Sequence, residues 1–163
     1  MISACLLGIN CRYDGGHSAC SGLVDLIHAA HFIPFCPEQL GGLPTPRSPA
    51  NMVGGDGYNI LANNARVINT DGEDVTSAFI RGAKEANTLA LFSGASIAVM
   101  KDRSPSCGLK ATVFENPAGH GFGVTAALLQ SSGIKLFETP GDSRFSRQEF
   151  LAFLRKCYRV YNT

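Results

Sequence analysis

Ser96-Ile97-Ala98-Val99-Met100, running into Lys101-Asp102-Arg103-Ser104-Pro105-Ser106-Cys107-Gly108, decides the fold. A short apolar run that ends in a polar, Pro- and Gly-containing loop is a buried strand followed by a crossover loop. Before it, Val75, Phe79, Ala83, Ala86 and Ala90 fall at helical spacing, which predicts a long helix started by Asp74. After it, Val124 to Ser131 is predicted as a helix stopped by Gly133, and Ile134-Lys135-Leu136-Phe137 as a strand. The same alternation opens the chain. Ile2 to Leu6 reads as a strand, and Cys20, Leu23, Val24, Ile27 and His31 as one face of a helix. Phe32 to Cys36 is a second strand, which Pro34 places at an edge or makes start late. Ala65 to Asn69 is a strand with a turn at Asp71-Gly72, Tyr58 to Asn63 one or two helical turns, and Ala111 to Phe114 a short extended segment. Residues 37–57, rich in Pro and Gly, are predicted as loop. Strands alternating with helices mean a parallel sheet covered on both faces. The expected fold is a small single-domain, Rossmann-like doubly wound α/β fold with a mostly parallel sheet.

With 163 residues, 45% hydrophobic and 17% charged, the chain suits one folded domain and is not disordered in character. A formal charge of +1 gives no basic surplus for wrapping nucleic acid. No apolar run is long enough to cross a bilayer, and the first residues lack a basic leader, so a cytoplasmic location is expected with neither membrane nor nucleic acid as partner. Nothing in the sequence specifies an oligomeric state.

In a sheet of this kind the site lies beyond the carboxyl ends of the strands. That rule sorts the six cysteines. Cys5, Cys36 and Cys107 follow the first strand, the second strand and the Ile97 to Met100 strand, so all three reach one crevice. Cys20 and Cys157 fall on apolar helix faces, where cysteine is an ordinary core residue. Cys11, in the first loop, fits either class. Three convergent thiolates suit a soft metal centre; no C-x-x-C pair marks structural zinc, and an iron–sulfur cluster held by three thiolates leaves one iron open. Three buried thiols without a metal is the alternative.

The loops around these cysteines carry the strings Ser3-Ala4-Cys5-Leu6-Leu7-Gly8, Cys36-Pro37-Glu38 through Gly41-Gly42-Leu43-Pro44-Thr45-Pro46-Arg47, and Ser104-Pro105-Ser106-Cys107-Gly108. With Arg12 to Gly16, Gly54 to Gly57, Asp71 to Thr76 and Gly123 to Leu129, they resemble the TudS-type thiouracil desulfidase family over about residues 2–138. This gives a TudS-like domain over 1–140 and an additional C-terminal helix within 141–163, packing on the same domain. Its start signals are Ser146 with Glu149 as a capping box and Phe145 with Phe150 as a hydrophobic staple.

The resemblance implies a [4Fe-4S] cluster on Cys5, Cys36 and Cys107, with one iron not ligated by protein. It implies Glu38 and Ser104 as catalytic residues and hydrolytic removal of sulfur from a thiolated pyrimidine. A cluster-dependent sulfur-transfer enzyme and a non-enzymatic metal- or sulfide-binding module are the alternatives. Asp14 either contacts substrate or ties the turn at Gly15. Arg12, Arg47, Lys101 and Arg103 either steer an anion or pair with a nearby acid. Ser106 either donates toward a cluster or serves as a turn residue, and the four histidines show no metal-ligand spacing.

Overall fold

The computed structural model describes residues 1–26, 31–140 and 145–159. Its elements run β1 (Ile2–Ser3), a 3-10 turn (Ala4–Leu7), α1 (Ser21–Val24), β2 (Pro34–Phe35), α2 (Pro37–Leu40), β3 (Ala50–Val53), α3 (Gly57–Leu61), β4 (Arg66–Asn69), α4 (Thr76–Ser93), β5 (Ile97–Lys101), β6 (Ala111–Phe114), β7 (His120–Gly121), α5 (Val124–Ser131), β8 (Lys135–Thr139) and α6 (Arg147–Arg159).

The central sheet has the order β2-β1-β5-β8, and every pair in it is parallel. Helices cover both of its faces, as the alternation of strands and helices predicts. Strand β5 shows why: successive side chains point to opposite faces. Ala98 and Met100 pack with Ala86 and Ala90 of α4 and Ala126 and Leu129 of α5. Val99, between them, packs with Ile2, Leu23 and Phe150 on the other face. The aromatic residues of that second face interlock, with Phe137 of β8 meeting Phe150 and Phe153 of α6 at ring-centroid distances of 5.0 and 5.3 Å.

A second sheet, in the order β4-β3-β6-β7, packs on the N-terminal half of α4. It is mixed: β3 is antiparallel to β4 and parallel to β6, and β7 returns antiparallel to β6. Phe79 and Ala83, two turns ahead of Ala86 and Ala90 on the same stripe of α4, join Met52, Val67 and Val113 in its core. The long helix is thus shared between two layers, which accounts for its small, Ala-rich apolar stripe.

Three segments depart from the sequence reading. Residues 37–57 are not all loop, since they hold α2 and β3. Pro37 is the first residue of α2, where its missing N–H costs nothing. The first strand ends at Ser3, because the chain tightens into the 3-10 turn that carries Cys5. Helix α1 spans Ser21–Val24 alone among the described residues, with Cys20 as its N-cap and His31 exposed beyond it. Ile27, expected on the same face, lies outside the described residues. The expected cap at Asp74 holds in part: its Oδ1 accepts from the Thr76 N–H at 2.9 Å, while Val75 takes the N-cap position.

Two glycines seat α2 on α4. A Cβ at Gly82 would come within 1.9 Å of the Pro37 carbonyl oxygen, and one at Gly41 within 2.2 Å of the Ala78 carbonyl oxygen. Arg81, beside Gly82, donates through both Nε (2.9 Å) and Nη2 to the Gly41 carbonyl and ties off the far end of α2. No described helix is long and apolar enough to cross a membrane.

Candidate active site

A cavity of about 430 Å³ opens beyond the carboxyl ends of β1, β2 and β5. Cys5, Cys36 and Cys107 all line it, together with Glu38 and Ser104. The strand-end rule thus gathers the three cysteines, and Glu38 and Ser104, which the resemblance implied, line the same cavity. Cys20 and Cys157 are buried elsewhere, as expected of core cysteines.

Each side chain arrives for a local reason. Cys36 is the N-cap of α2, directly after β2, and Glu38 sits in that helix's first turn. Cys107 belongs to a loop pinned to the start of α5. There the Val124 N–H donates to the Pro105 carbonyl at 2.9 Å, and the Thr125 and Ala126 N–H groups donate to the Ser106 carbonyl at 2.9 and 3.0 Å. Gly123 is required at the joint, since a Cβ there would lie 2.6 Å from the Ser106 carbonyl carbon. The Ser104 hydroxyl oxygen accepts from the N–H groups of Ser106 (3.2 Å) and Cys107 (3.1 Å) and so shapes the same loop.

Glu38 is held at both carboxylate oxygens. Arg47 Nε donates to Oε2 at 2.7 Å, and the buried Ser106 hydroxyl donates to Oε1 at 3.2 Å. The side chains of this ion pair are 6% (Arg47) and 15% (Glu38) exposed, so it is largely desolvated. Arg47 also reaches the Cys11 carbonyl through Nη2 at 3.0 Å. The sequence left Arg47 and Ser106 open; the structure makes both of them holders of Glu38. A serine two residues after Ser104 and an arginine nine after Glu38 give no signal until the fold closes.

Asp14 takes the turn role. It accepts from the Gly16 N–H at 3.0 Å and pairs with Arg12 at 2.9 Å. Arg12 and that N–H together hold its carboxyl down at about 2. Lys101 and Arg103 both pair with Asp102 while lining the cavity, and Arg103 adopts a left-handed φ of 54° just before Ser104. Arg12 and Tyr13 complete the mouth.

Cys11, Cys36 and Cys107 lie where ionisation is disfavoured. Burial pushes Cys107 up to about 12, outweighing its hydrogen bonds with Ser3 and Ser104. Cys36 is pushed up by its hydrogen bond with Cys11 and by burial. Cys11 is drawn down by its bond with Cys36, but its bond with Cys5 and burial prevail and raise it to about 11. Neutral thiols that touch one another are what a thiophilic site presents before it exchanges protons for metal. Among the described residues no three Cys, His, Asp or Glu side chains close on one point as a single metal ion needs. A multi-iron cluster asks instead for one thiolate per iron from a shared cavity lined by sulfur, and the cysteines here fit that group.

A family model described as 2-thiouracil desulfurase matches residues 1–140. The protein YbbK of Bacillus subtilis (strain 168), itself described as uncharacterized, is 39% identical over 139 residues, 83% of this chain and 92% of its own. A solved structure described as [4Fe-4S]-dependent thiouracil desulfidase TudS superposes with a TM-score of 0.74 at 35% identity, covering 96% of each chain. The sulfur-lined cavity, the carboxylate beside it and a match over most of its length place this chain in the 2-thiouracil desulfurase family.

Proposed function

We propose that the chain is an iron–sulfur-dependent desulfidase that hydrolyses a thiolated pyrimidine: the thiocarbonyl and one water become a carbonyl and one hydrogen sulfide. The observation that carries this is the single cavity shared by three strand-end cysteines, a carboxylate and a hydroxyl. Family membership and the TudS structure support it. Cys5, Cys36 and Cys107 would hold a [4Fe-4S] cluster with one iron free of protein. That iron, when present, supplies a soft Lewis acid for the thiocarbonyl sulfur.

The chain's own residues do the rest. Arg47 and Ser106 fix the Glu38 carboxylate in one orientation, and its remaining lone pairs can take a proton from the attacking water. The Ser104 oxygen is already engaged by two backbone N–H groups, which leaves its O–H to donate to the pyrimidine ring. Water supplies the replacing oxygen, so the reaction needs no electron donor. The cavity matches a small molecule, and neither nucleic acid nor a membrane is a proposed partner.

The test is anaerobic reconstitution followed by parallel measurement of iron, sulfide and uracil with 2-thiouracil or 4-thiouracil as substrate. Cys5→Ala, Cys36→Ala and Cys107→Ala should each lose most bound iron, while Cys20→Ala and Cys157→Ala keep it. Sulfide should appear in step with uracil without added reductant. An intact cluster that releases no sulfide from either base would leave a binding module, and a reductant consumed at each turnover would rule out hydrolysis.

A further inference from the structure

The second sheet also reaches the cavity, through Pro49, Ala50 and Asn51 at the start of β3. Along a strand, successive side chains alternate between faces. Ala50 and Met52 pack into the core of the second sheet, so Asn51 between them faces away from that core and onto the cavity. The chain is pinned just before it. The Arg47 N–H donates to the Tyr13 carbonyl and the Thr70 N–H to the Pro49 carbonyl, both at 2.8 Å. Pairing with β4 then sets the register, with Asn51 opposite Ile68. Arg47, which orients Glu38, stands on the same stretch of chain, so one segment both holds the carboxylate and presents the amide.

Asn51 is half-buried, and among the described residues its side chain makes no hydrogen bond. The other polar side chains of the cavity are committed. Arg12 is tied to Asp14 and Ser18, Lys101 and Arg103 are tied to Asp102, and the Ser3 hydroxyl oxygen accepts from the Lys101 N–H at 3.1 Å. Ser104 keeps its O–H, a donor, and Tyr13 stands exposed at the mouth. The Asn51 amide is the uncommitted group that offers an acceptor and donors side by side.

We infer that Asn51 is a specificity-determining residue that reads the amide edge of the pyrimidine. The inference rests on the desulfidase reading above and names the ring chemistry the site accepts. In 2-thiouracil and 4-thiouracil alike, the N–H at ring position 3 lies between the sulfur-bearing carbon and the remaining carbonyl. With the sulfur turned toward the cysteines, that N–H and that carbonyl oxygen form a donor and acceptor pair. A planar carboxamide matches it: Oδ1 of Asn51 accepts from the ring N–H, and Nδ2 donates to the ring oxygen. A base without that N–H leaves the amide oxygen unpaired, and a site built to hydrogen-bond its substrate discriminates on that ground.

The experiment reconstitutes wild type and Asn51→Ala anaerobically and measures iron per chain and sulfide release. The substrates are 2-thiouracil, 4-thiouracil and each of these bases methylated at ring position 3. Wild type should favour an unmethylated base over its methylated form by roughly tenfold or more in kcat/KM. Asn51→Ala should hold as much iron as wild type, lose roughly tenfold on the unmethylated base, chiefly through KM, and give up most of that preference. Uracil, which carries the same edge and is not consumed, should bind the variant more weakly by calorimetry. Should Asn51→Ala not fold, Asn51→Leu keeps the size of the side chain without the amide and takes its place. A wild type indifferent to the methyl group, or a variant that keeps the full preference, overturns the inference and leaves the desulfidase reading intact. A loss equal for methylated and unmethylated bases does the same, since it marks a structural role. A wild type that loads iron yet releases no sulfide from any of the four bases overturns both.

Discussion

Glu38 and Arg47 depend on each other more than either depends on solvent. Glu38→Gln keeps the shape of the side chain and the Ser106 contact but removes the proposed base. It should retain iron and lose turnover by roughly a hundredfold or more, measured as sulfide release per cluster. Arg47→Ala leaves a half-enclosed carboxylate without its cation and should destabilise the metal-free protein by roughly 2–4 kcal/mol, read from urea unfolding. Glu38→Gln added to Arg47→Ala should restore part of that loss. The thiols give a pH dependence of definite sign. Burial raises Cys107 to about 12 in the fold, against an ordinary thiol near 8.5 in the unfolded chain. Between those values the native state binds more protons, so stability is full at lower pH and falls as pH climbs through that window. Thermal unfolding of metal-free protein between about pH 8 and pH 11 should show the decline, and Cys107→Ala should lessen it. Cys5, Cys36 and Cys107 were legible from the sequence because strand ends converge by topology. Arg47 and Ser106 were not, since their role is a contact made only when loops from distant strands meet. Ser104 entered by resemblance alone, and the structure shows it shaping the loop before Cys107.

At the scale of elements, the contact of α2 with α4 fixes where the carboxylate stands. Gly82→Ala places a methyl carbon where the Pro37 carbonyl oxygen already is, 1.9 Å away. The helices must part, and Glu38 moves with α2. The variant should lose roughly 1–3 kcal/mol of stability and more turnover than iron, as denaturation and sulfide release on one sample would show. Here the sequence reading was least complete. Pro37, Pro44, Pro46 and Pro49 dominate residues 37–57, and proline was read as a breaker. At the first position of a helix it is a start signal instead, and Ala50-Asn51-Met52-Val53 has only one β-branched residue to advertise a strand. The second sheet went unseen for the same reason, because β3 is the strand that joins β4 to β6. Long elements with regular spacing, α4, α5 and α6, were legible to within a few residues.

For the whole molecule, α6 is part of the core. Phe150 is 4% exposed and packs against the rings of Phe137 and Phe145. Phe150→Ala should cost about 3–5 kcal/mol, seen as a lower midpoint in urea, with iron binding per folded chain unchanged because the site lies at the strand ends. The parallel order of the central sheet has a further result. Cys5, Cys36 and Cys107 come from three widely separated stretches of chain, and parallel neighbours cannot pair until the crossover between them has been made. A growing polypeptide therefore owns two of the three sulfurs long before it owns the third, and its ribosome has passed β5 by then. On the proposed ligand set, metal met during synthesis would find an unfinished site, and the cluster would enter only a finished fold. A truncated chain ending before Cys107 should then take up no cluster on anaerobic reconstitution, as iron analysis would show.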